Sequence, residues 1–312
     1  MSEYILNLLP VNEAEQAEFE AIAPEAKHVY AGRRTVTPEQ LAAATIIIGW
    51  PKAEQLKDAA SLKWLQTMWA GTDEYTAPGI LPEGVILTSS SGSNRLSGAE
   101  HMLAMLMGLC RRLPTYRDSQ KAHRWEDEGN MKTIYGGTVL VVGAGNIGAT
   151  FAGMCHGLGA RTIGLKRTVR GPVEGFDEVY PMEKLDELLP TADVVALVVP
   201  HSPETVGLMN EHRLGLMKED AILISSGRGS VLDQDALVRT MQAGMLWGAG
   251  IDVTVPEPLP ADHPMWDIPN LILTPHVAGG MRLEITRRTC IQMAQENLRR
   301  YLAGEKLNNR VR

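Results

Sequence analysis

The segment Val139-Leu140-Val141-Val142-Gly143-Ala144-Gly145-Asn146-Ile147-Gly148 constrains this chain more than any other. A β-branched apolar run enters G-x-G-x-x-G, and a helical pattern follows. The three glycines allow a tight turn, close backbone approach to a pyrophosphate and close helix–strand packing. A helix starting near Asn146 and Ile147 would aim its free N–H groups and the positive end of its dipole at that anion. The strand–turn–helix context reads as dinucleotide binding. A tight structural turn, or another ligand of such a fold such as S-adenosylmethionine, are the other readings.

The end of the next strand discriminates between dinucleotides. An NAD site usually places Asp or Glu there for the ribose 2′-hydroxyl. This chain instead has Leu165-Lys166-Arg167-Thr168, with Arg170 just beyond. Two cations and a hydroxyl suit a 2′-phosphate, which a carboxylate would repel. The expected cofactor is therefore NADP(H), with NAD(H) possible. The alternative is a solvated basic loop.

Before this segment, short apolar runs alternate with helical stretches. Strands are expected at Tyr4 to Leu9, Thr45 to Gly49, Leu62 to Met68 and Val85 to Thr88, with a helix at Asn12 to Ile22. A long helical stretch, about Asn94 to Arg112, is interrupted by Pro114. A second series has strands at Thr138 to Val142, Thr162 to Leu165, Val194 to Val199, Ala221 to Ser225, Gly248 to Val253 and Leu271 to Thr274. A last helix runs from about Met281 to Leu302. Continuous β-branched runs between helices mean parallel strands buried on both faces. The expected class is α/β: two doubly wound parallel-sheet (Rossmann/flavodoxin-like) domains with a cleft between them. The length of 312 residues suits two domains.

A formal net charge of −7 argues against sequence-independent nucleic-acid binding. Cys110, Cys155 and Cys290 are widely separated, so neither a zinc ribbon nor a disulfide framework is expected, and no metal site is foreseen. The start, Met1-Ser2-Glu3-Tyr4, lacks the pattern of a signal peptide, and no apolar stretch approaches membrane-spanning length. The expectation is a cytoplasmic protein without membrane or nucleic-acid partners.

Three later segments carry a resemblance. They are Ser225-Ser226-Gly227-Arg228-Gly229, Asp252-Val253-Thr254-Val255-Pro256-Glu257-Pro258 and Thr274-Pro275-His276-Val277-Ala278-Gly279, each after a strand. With Trp69-Ala70-Gly71-Thr72-Asp73, Ala99-Glu100-His101 and Glu296-Asn297-Leu298, their order resembles the D-isomer-specific 2-hydroxyacid dehydrogenase family over nearly the whole chain. The residue types suit reduction of a 2-oxo acid. Such a reaction needs a proton donor, which His276 can be. Glu257 would hold the imidazolium, with Pro256 and Pro258 restricting the backbone beside it. Arg228 offers a planar fork for the substrate carboxylate. The resemblance implies these same roles for Arg228, Glu257 and His276.

It further implies that Ala70, Gly71 and Thr72 offer backbone N–H groups to the substrate, beside Arg228 and His276. Val199, Pro200 and Thr205 would border the adenosine side. Gly227 and Asp252 would lie near the nicotinamide, Asp252 accepting from its carboxamide, and Ser226, His276 and Gly279 would also contact the cofactor. Trp50, Met68 and Trp69 read as core more than pocket, His101 as structural, and His201 as a loop residue near the cofactor. The resemblance implies a homodimer, and a substrate-binding domain made from residues 1–98 plus 285–312 around a dinucleotide-binding domain, 99–284.

Three positions depart from the common pattern: Ser225 where many relatives carry Asn, Met281 where Thr or Ser often stands, and Lys166 in place of Asp. The leading reading is an NADP(H)-dependent 2-oxoacid reductase acting on a small 2-oxo acid, an oxidoreductase of the CH–OH group. A dinucleotide-sensing corepressor-like protein is one alternative. An NAD-formate dehydrogenase is another, disfavoured because those relatives carry Gln where this chain has Glu257.

Overall fold

The computed structural model describes residues 2–312, which divide into two compact units. One comprises residues up to Asn94 together with Gly280–Arg312; the other is Arg95–Gly279. The breaks fall a few residues before those expected at 98/99 and 284/285. The helix Arg95–Cys110 is continuous, so its first turn stays with the rest of it. Met281 packs into the core of the first unit, so the chain has entered that unit before the last helix begins.

The first unit holds a sheet of strands β1 (Tyr4–Asn7), β2 (Lys27–Tyr30), β3 (Ile46–Gly49), β4 (Trp64–Thr67) and β5 (Ile86–Thr88). All pair in parallel in the order β2-β1-β3-β4-β5. β3 shows why an isoleucine run is needed. Ile47 enters one core with Leu6, Leu65 and Leu87, while Ile46 and Ile48 enter the opposite one with Ile5, Phe19 and Trp64. That second core is closed by Cys290, Ile291, Ala294 and Leu298 of the helix Glu284–Leu302. Asn297 on the same helix donates to the buried Gln66 Oε1 of β4 at 2.7 Å, satisfying a polar group inside the sheet. The chain's last helix thus completes its first sheet.

Arg287 reinforces that seam. Its Nη1 and Nη2 donate to Glu15 Oε2 and Oε1 at 2.8 and 2.7 Å. Glu15 also closes the capping box of the helix Glu13–Ile22, whose N-cap is Asn12. The Arg287 guanidinium holds the Glu15 carboxyl below its ordinary value. The contribution of this pair is complete above the unfolded glutamate value of about 4.3 and is lost as pH falls through the lower folded value. Arg287→Ala should therefore cost about 2 kcal/mol at neutral pH. Urea unfolding of both proteins across an acid series should show the difference narrowing below about pH 4. A gap independent of pH would assign the loss to packing.

The second unit holds β6 (Thr138–Val142), β7 (Arg161–Lys166), β8 (Glu178–Pro181), β9 (Val194–Leu197), β10 (Ile222–Ser225), β11 (Gly248–Ile251) and β12 (Leu271–Leu273). They pair in parallel in the order β12-β11-β10-β9-β6-β7-β8. In β6, Leu140 and Val142 face one core while Val139 and Val141 face the other. The helices Arg95–Cys110 and Asn146–Gly157 cover the latter face, and Gly98 lets the first approach Ile147 of the second. The long helix ends before Pro114, as expected. Arg112 turns the chain at φ 54°, and Pro114 lies in the first turn of a further helix, Leu113–Lys121.

No helix among the described residues is long and apolar enough to cross a membrane.

Candidate active site

In a parallel sheet every strand delivers its following loop to the same edge, and ligands bind outside the carboxyl ends where the strand order reverses. In the second unit that reversal lies at β6, between β7 and β9. The carboxyl ends of β6, β7, β9, β10, β11 and β12, with the segments that follow them, carry every site residue expected in this unit.

The glycines after β6 divide the work as the sequence pattern requires. Gly143 has φ 117°, and a Cβ there would lie 2.7 Å from the Val198 carbonyl oxygen. At Gly148 a Cβ would lie 2.2 Å from the Gly143 oxygen, so only glycine lets the helix start this close to the strand. At Gly145, the N-cap of the helix, an added Cβ would meet no atom within 4 Å. The approach to the N–H groups of Asn146 and Ile147 is thus open on that side. A pyrophosphate fits this cradle, and the residues present fit a dinucleotide.

Lys166 ends β7, and Lys166, Arg167 and Thr168 are all exposed. The loop after β9 folds on Thr205, whose hydroxyl donates to the Pro200 carbonyl at 2.6 Å and accepts from the Ser202 N–H at 2.8 Å. Thr205 therefore shapes the loop that Val199 and Pro200 begin. The carboxyl of Glu204, in this loop, is held below its ordinary range. The Ser202 hydroxyl is the main cause, then the local backbone, with the Arg167 cation adding least. His201 donates to or accepts from the Ser230 hydroxyl at 2.8 Å, tying this loop to the next one.

That next loop, after β10, packs by its glycines. A Cβ on Gly227 would lie 2.6 Å from the Val199 oxygen, and one on Gly229 would lie 2.3 Å from the Thr254 backbone. Arg228 stands between them, half-buried, with Nη1 donating to the Gly227 carbonyl at 2.9 Å. The Ser226 hydroxyl is buried and has no hydrogen-bond partner in the protein, and the same holds for that of Ser225.

Glu257 and His276 meet. His276 Nδ1 lies 2.8 Å from Glu257 Oε2, and Glu257 Oε1 accepts the Thr254 N–H at 3.1 Å. Gln234 holds the Val255 backbone through both its N–H and its carbonyl. An ionised carboxylate only accepts, so Nδ1 carries the proton toward Glu257 and Nε2 is the imidazole's other functional atom. The two side chains are 45% and 41% exposed, open enough for a substrate to reach. His276 itself has φ 51°, a left-handed conformation uncommon for histidine.

Asp252 explains how that turn is held. Its side chain is 1% exposed, and Oδ1 accepts from the Thr274 hydroxyl at 2.6 Å and the Val277 N–H at 2.9 Å. Oδ2 accepts from the Ala278 N–H at 3.0 Å, and the Asp252 carbonyl accepts the His276 N–H at 2.8 Å. The carboxylate for which the resemblance implies a carboxamide acceptor is thus engaged with Thr274, Val277 and Ala278 around His276.

Ala70, Gly71 and Thr72 follow β4 in the first unit. Thr67 donates to the Trp69 carbonyl, and Thr72 precedes the helix Asp73–Thr76. Trp50 and Met68, expected as core, pack half-buried against the two cores of the first unit, whereas Trp69 is half-buried and joins neither. The Trp50 ring meets Trp69 edge-on at 5.4 Å and carries the Arg33 guanidinium 3.6 Å above its centroid. Neither Arg33 nor Gln234 belongs to a motif, so the sequence alone does not point to them. No group of three or more His, Cys, Asp or Glu placed to hold a metal ion occurs among the described residues.

A parallel sheet with a glycine turn at its switch point and a His–Glu pair on the same edge is the arrangement expected of a dinucleotide-dependent oxidoreductase. Residues 103–278 match the NAD binding domain of the D-isomer specific 2-hydroxyacid dehydrogenase family. A family member from Aeromonas salmonicida superposes with a TM-score of 0.87 at 29% identity, covering 100% of this chain and 99% of that one. A D-isomer specific 2-hydroxyacid dehydrogenase from Xanthobacter autotrophicus, in complex with NADPH and MES, gives 0.83 at 28% identity, covering 100% and 98%. A glyoxylate reductase from Korarchaeum cryptofilum is 32% identical, over 81% of this chain and 77% of that protein. Against D-3-phosphoglycerate dehydrogenase of Synechocystis, at 32% identity over 80% of this chain, the match spans 44% of the relative's length. The chain belongs to the D-isomer specific 2-hydroxyacid dehydrogenase family, NAD(P)-dependent oxidoreductases acting on CH–OH groups.

Proposed function

We propose that the protein is an NADP(H)-dependent reductase of small 2-oxo acids. The observation that carries this reading is the His276–Glu257 pair on the same sheet edge as the glycine cradle. Gly143, Gly145 and Gly148, with the N–H groups of Asn146 and Ile147, would hold the pyrophosphate. Lys166, Arg167 and Thr168 would hold the 2′-phosphate, and Val199 and Pro200 would border the adenosine side. Ser226, Gly227 and Gly279 would flank the nicotinamide. When bound, the reduced nicotinamide supplies the hydride for C2 of the substrate.

The chain's own residues do the rest. Arg228 grips the substrate carboxylate and polarises the adjoining carbonyl, stabilising negative charge as it forms. His276 Nε2 donates its proton to that oxygen. Glu257 holds Nδ1 at 2.8 Å, so the imidazole keeps its orientation and its Nε2 is left to serve the substrate oxygen. The product is a 2-hydroxy acid with the added proton on oxygen.

The test is cofactor oxidation over a panel of 2-oxo acids, glyoxylate, hydroxypyruvate and pyruvate among them, run with NADPH and repeated with NADH. Turnover with at least one acid, faster with NADPH at limiting cofactor, is expected. Binding of NADPH without turnover on any of them would instead favour a sensor.

A further inference from the structure

The helix Arg95–Cys110 lies along β11 with a match of periods. β11 reads Gly248-Ala249-Gly250-Ile251, and Asp252 follows. A Cβ on Gly248 would lie 2.9 Å from Leu109 Cδ2, and one on Gly250 would lie 3.0 Å from Met105 Cβ. Leu109 and Met105 are four residues apart on one helix face, and His101 is four further back. Four helical residues rise about 6 Å, and two strand residues advance about 6.6 Å. The residue after Gly250 on this strand face is Asp252, and His101 arrives beside it. The two glycines admit the helix close enough for an imidazole to reach the buried carboxylate.

The contacts bear this out. His101 Nε2 lies 2.9 Å from Thr274 Oγ1 and 3.5 Å from Asp252 Oδ1. Thr274 has one hydroxyl proton, which it gives to Asp252 at 2.6 Å. His101 Nε2 must therefore be the donor to Thr274. The chain of hydrogen bonds runs from the helix, through Thr274, to the carboxylate that also takes the Val277 and Ala278 N–H groups. Those bonds bracket His276, whose left-handed backbone is held by its surroundings.

We propose that His101 is a positioning residue for His276, acting through Thr274 and Asp252 rather than on the substrate. This rests on the reading of His276 as proton donor. Removing the His101 donor leaves Thr274 free to rotate its hydroxyl, and the His276 turn samples geometries that do not deliver the proton. The loss falls on kcat, because neither the cofactor cradle nor Arg228 is touched.

The experiment compares His101→Leu with His101→Gln, whose amide N–H can stand in for Nε2–H, and Thr274→Val with Thr274→Ser. Each is assayed with NADPH and the best 2-oxo acid of the panel, beside thermal unfolding. His101→Leu and Thr274→Val should lower kcat about tenfold, with KM for NADPH and for the acid within about twofold. His101→Gln and Thr274→Ser should restore most of the rate. Wild-type kcat in Thr274→Val overturns the proposal. So does an equal loss in His101→Leu and His101→Gln, which would mean ring packing, or a loss confined to KM. Should His101→Leu not fold, the threonine pair decides alone. His276→Asn, run in parallel, separates the two readings. If it turns over normally, the proton-donor assignment has failed; if only it is impaired, the positioning role has failed.

Discussion

His276→Asn should lower kcat by at least about a hundredfold, the low end of what a positioned acid–base group contributes. Asparagine is the informative replacement for two structural reasons. Its amide N–H can take the place of Nδ1–H toward Glu257, keeping the 2.8 Å contact served. It also tolerates the left-handed backbone better than most residues, so the φ of 51° at this position adds little strain. What disappears is Nε2, the atom that would give the proton. Steady-state turnover with NADPH, beside a thermal unfolding curve matching wild type, reads the effect. Near-normal kcat would remove His276 from proton transfer.

The second large effect is expected from Lys166→Asp combined with Arg167→Ala. The double variant should weaken NADPH by roughly 1.5–3 kcal/mol per lost charge-assisted bond, tenfold to a hundredfold for each. A carboxylate introduced at position 166 would repel a 2′-phosphate and could accept from a 2′-hydroxyl. NADH should therefore hold or improve while NADPH falls. Both side chains are exposed, so stability should be little changed and the variant should fold. Titrations of both cofactors distinguish the outcomes. Equal losses for NADH and NADPH would mean that the basic pair is not a phosphate site.

Much of the fold was legible because buried parallel strands are written as apolar runs. Ile46-Ile47-Ile48 and Val139-Leu140-Val141-Val142 each feed two cores, and both read as strands. The two strands not read from sequence, β2 and β8, are the outer strands of their sheets at one edge each. Their residues are half-buried or exposed, so the continuous apolar signal is missing. Strand ends read too long for the opposite reason. Val198 and Val199 remain apolar after the ladder stops because they still pack against the two cores of the second unit, and Val253 is likewise buried beyond the end of its strand.

The sequence by itself determined the chemistry on offer: a glycine turn for a pyrophosphate, two cations where a carboxylate is usual, and a His, a Glu and an Arg after successive strands. It did so because each of these is a local requirement of backbone conformation or functional group, complete within a few residues. Only the tertiary structure decided how they are held. That Asp252 turns inward to bind the His276 loop, and that His101 reaches it from 151 positions earlier in the chain, depends on a helix settling onto the glycines of β11. That the final helix closes the first sheet depends on Ile46, Ile48 and Trp64 needing more cover than the helix carrying Phe19 supplies. Such long-range pairings follow from burial and complementary shape, which a linear pattern does not record.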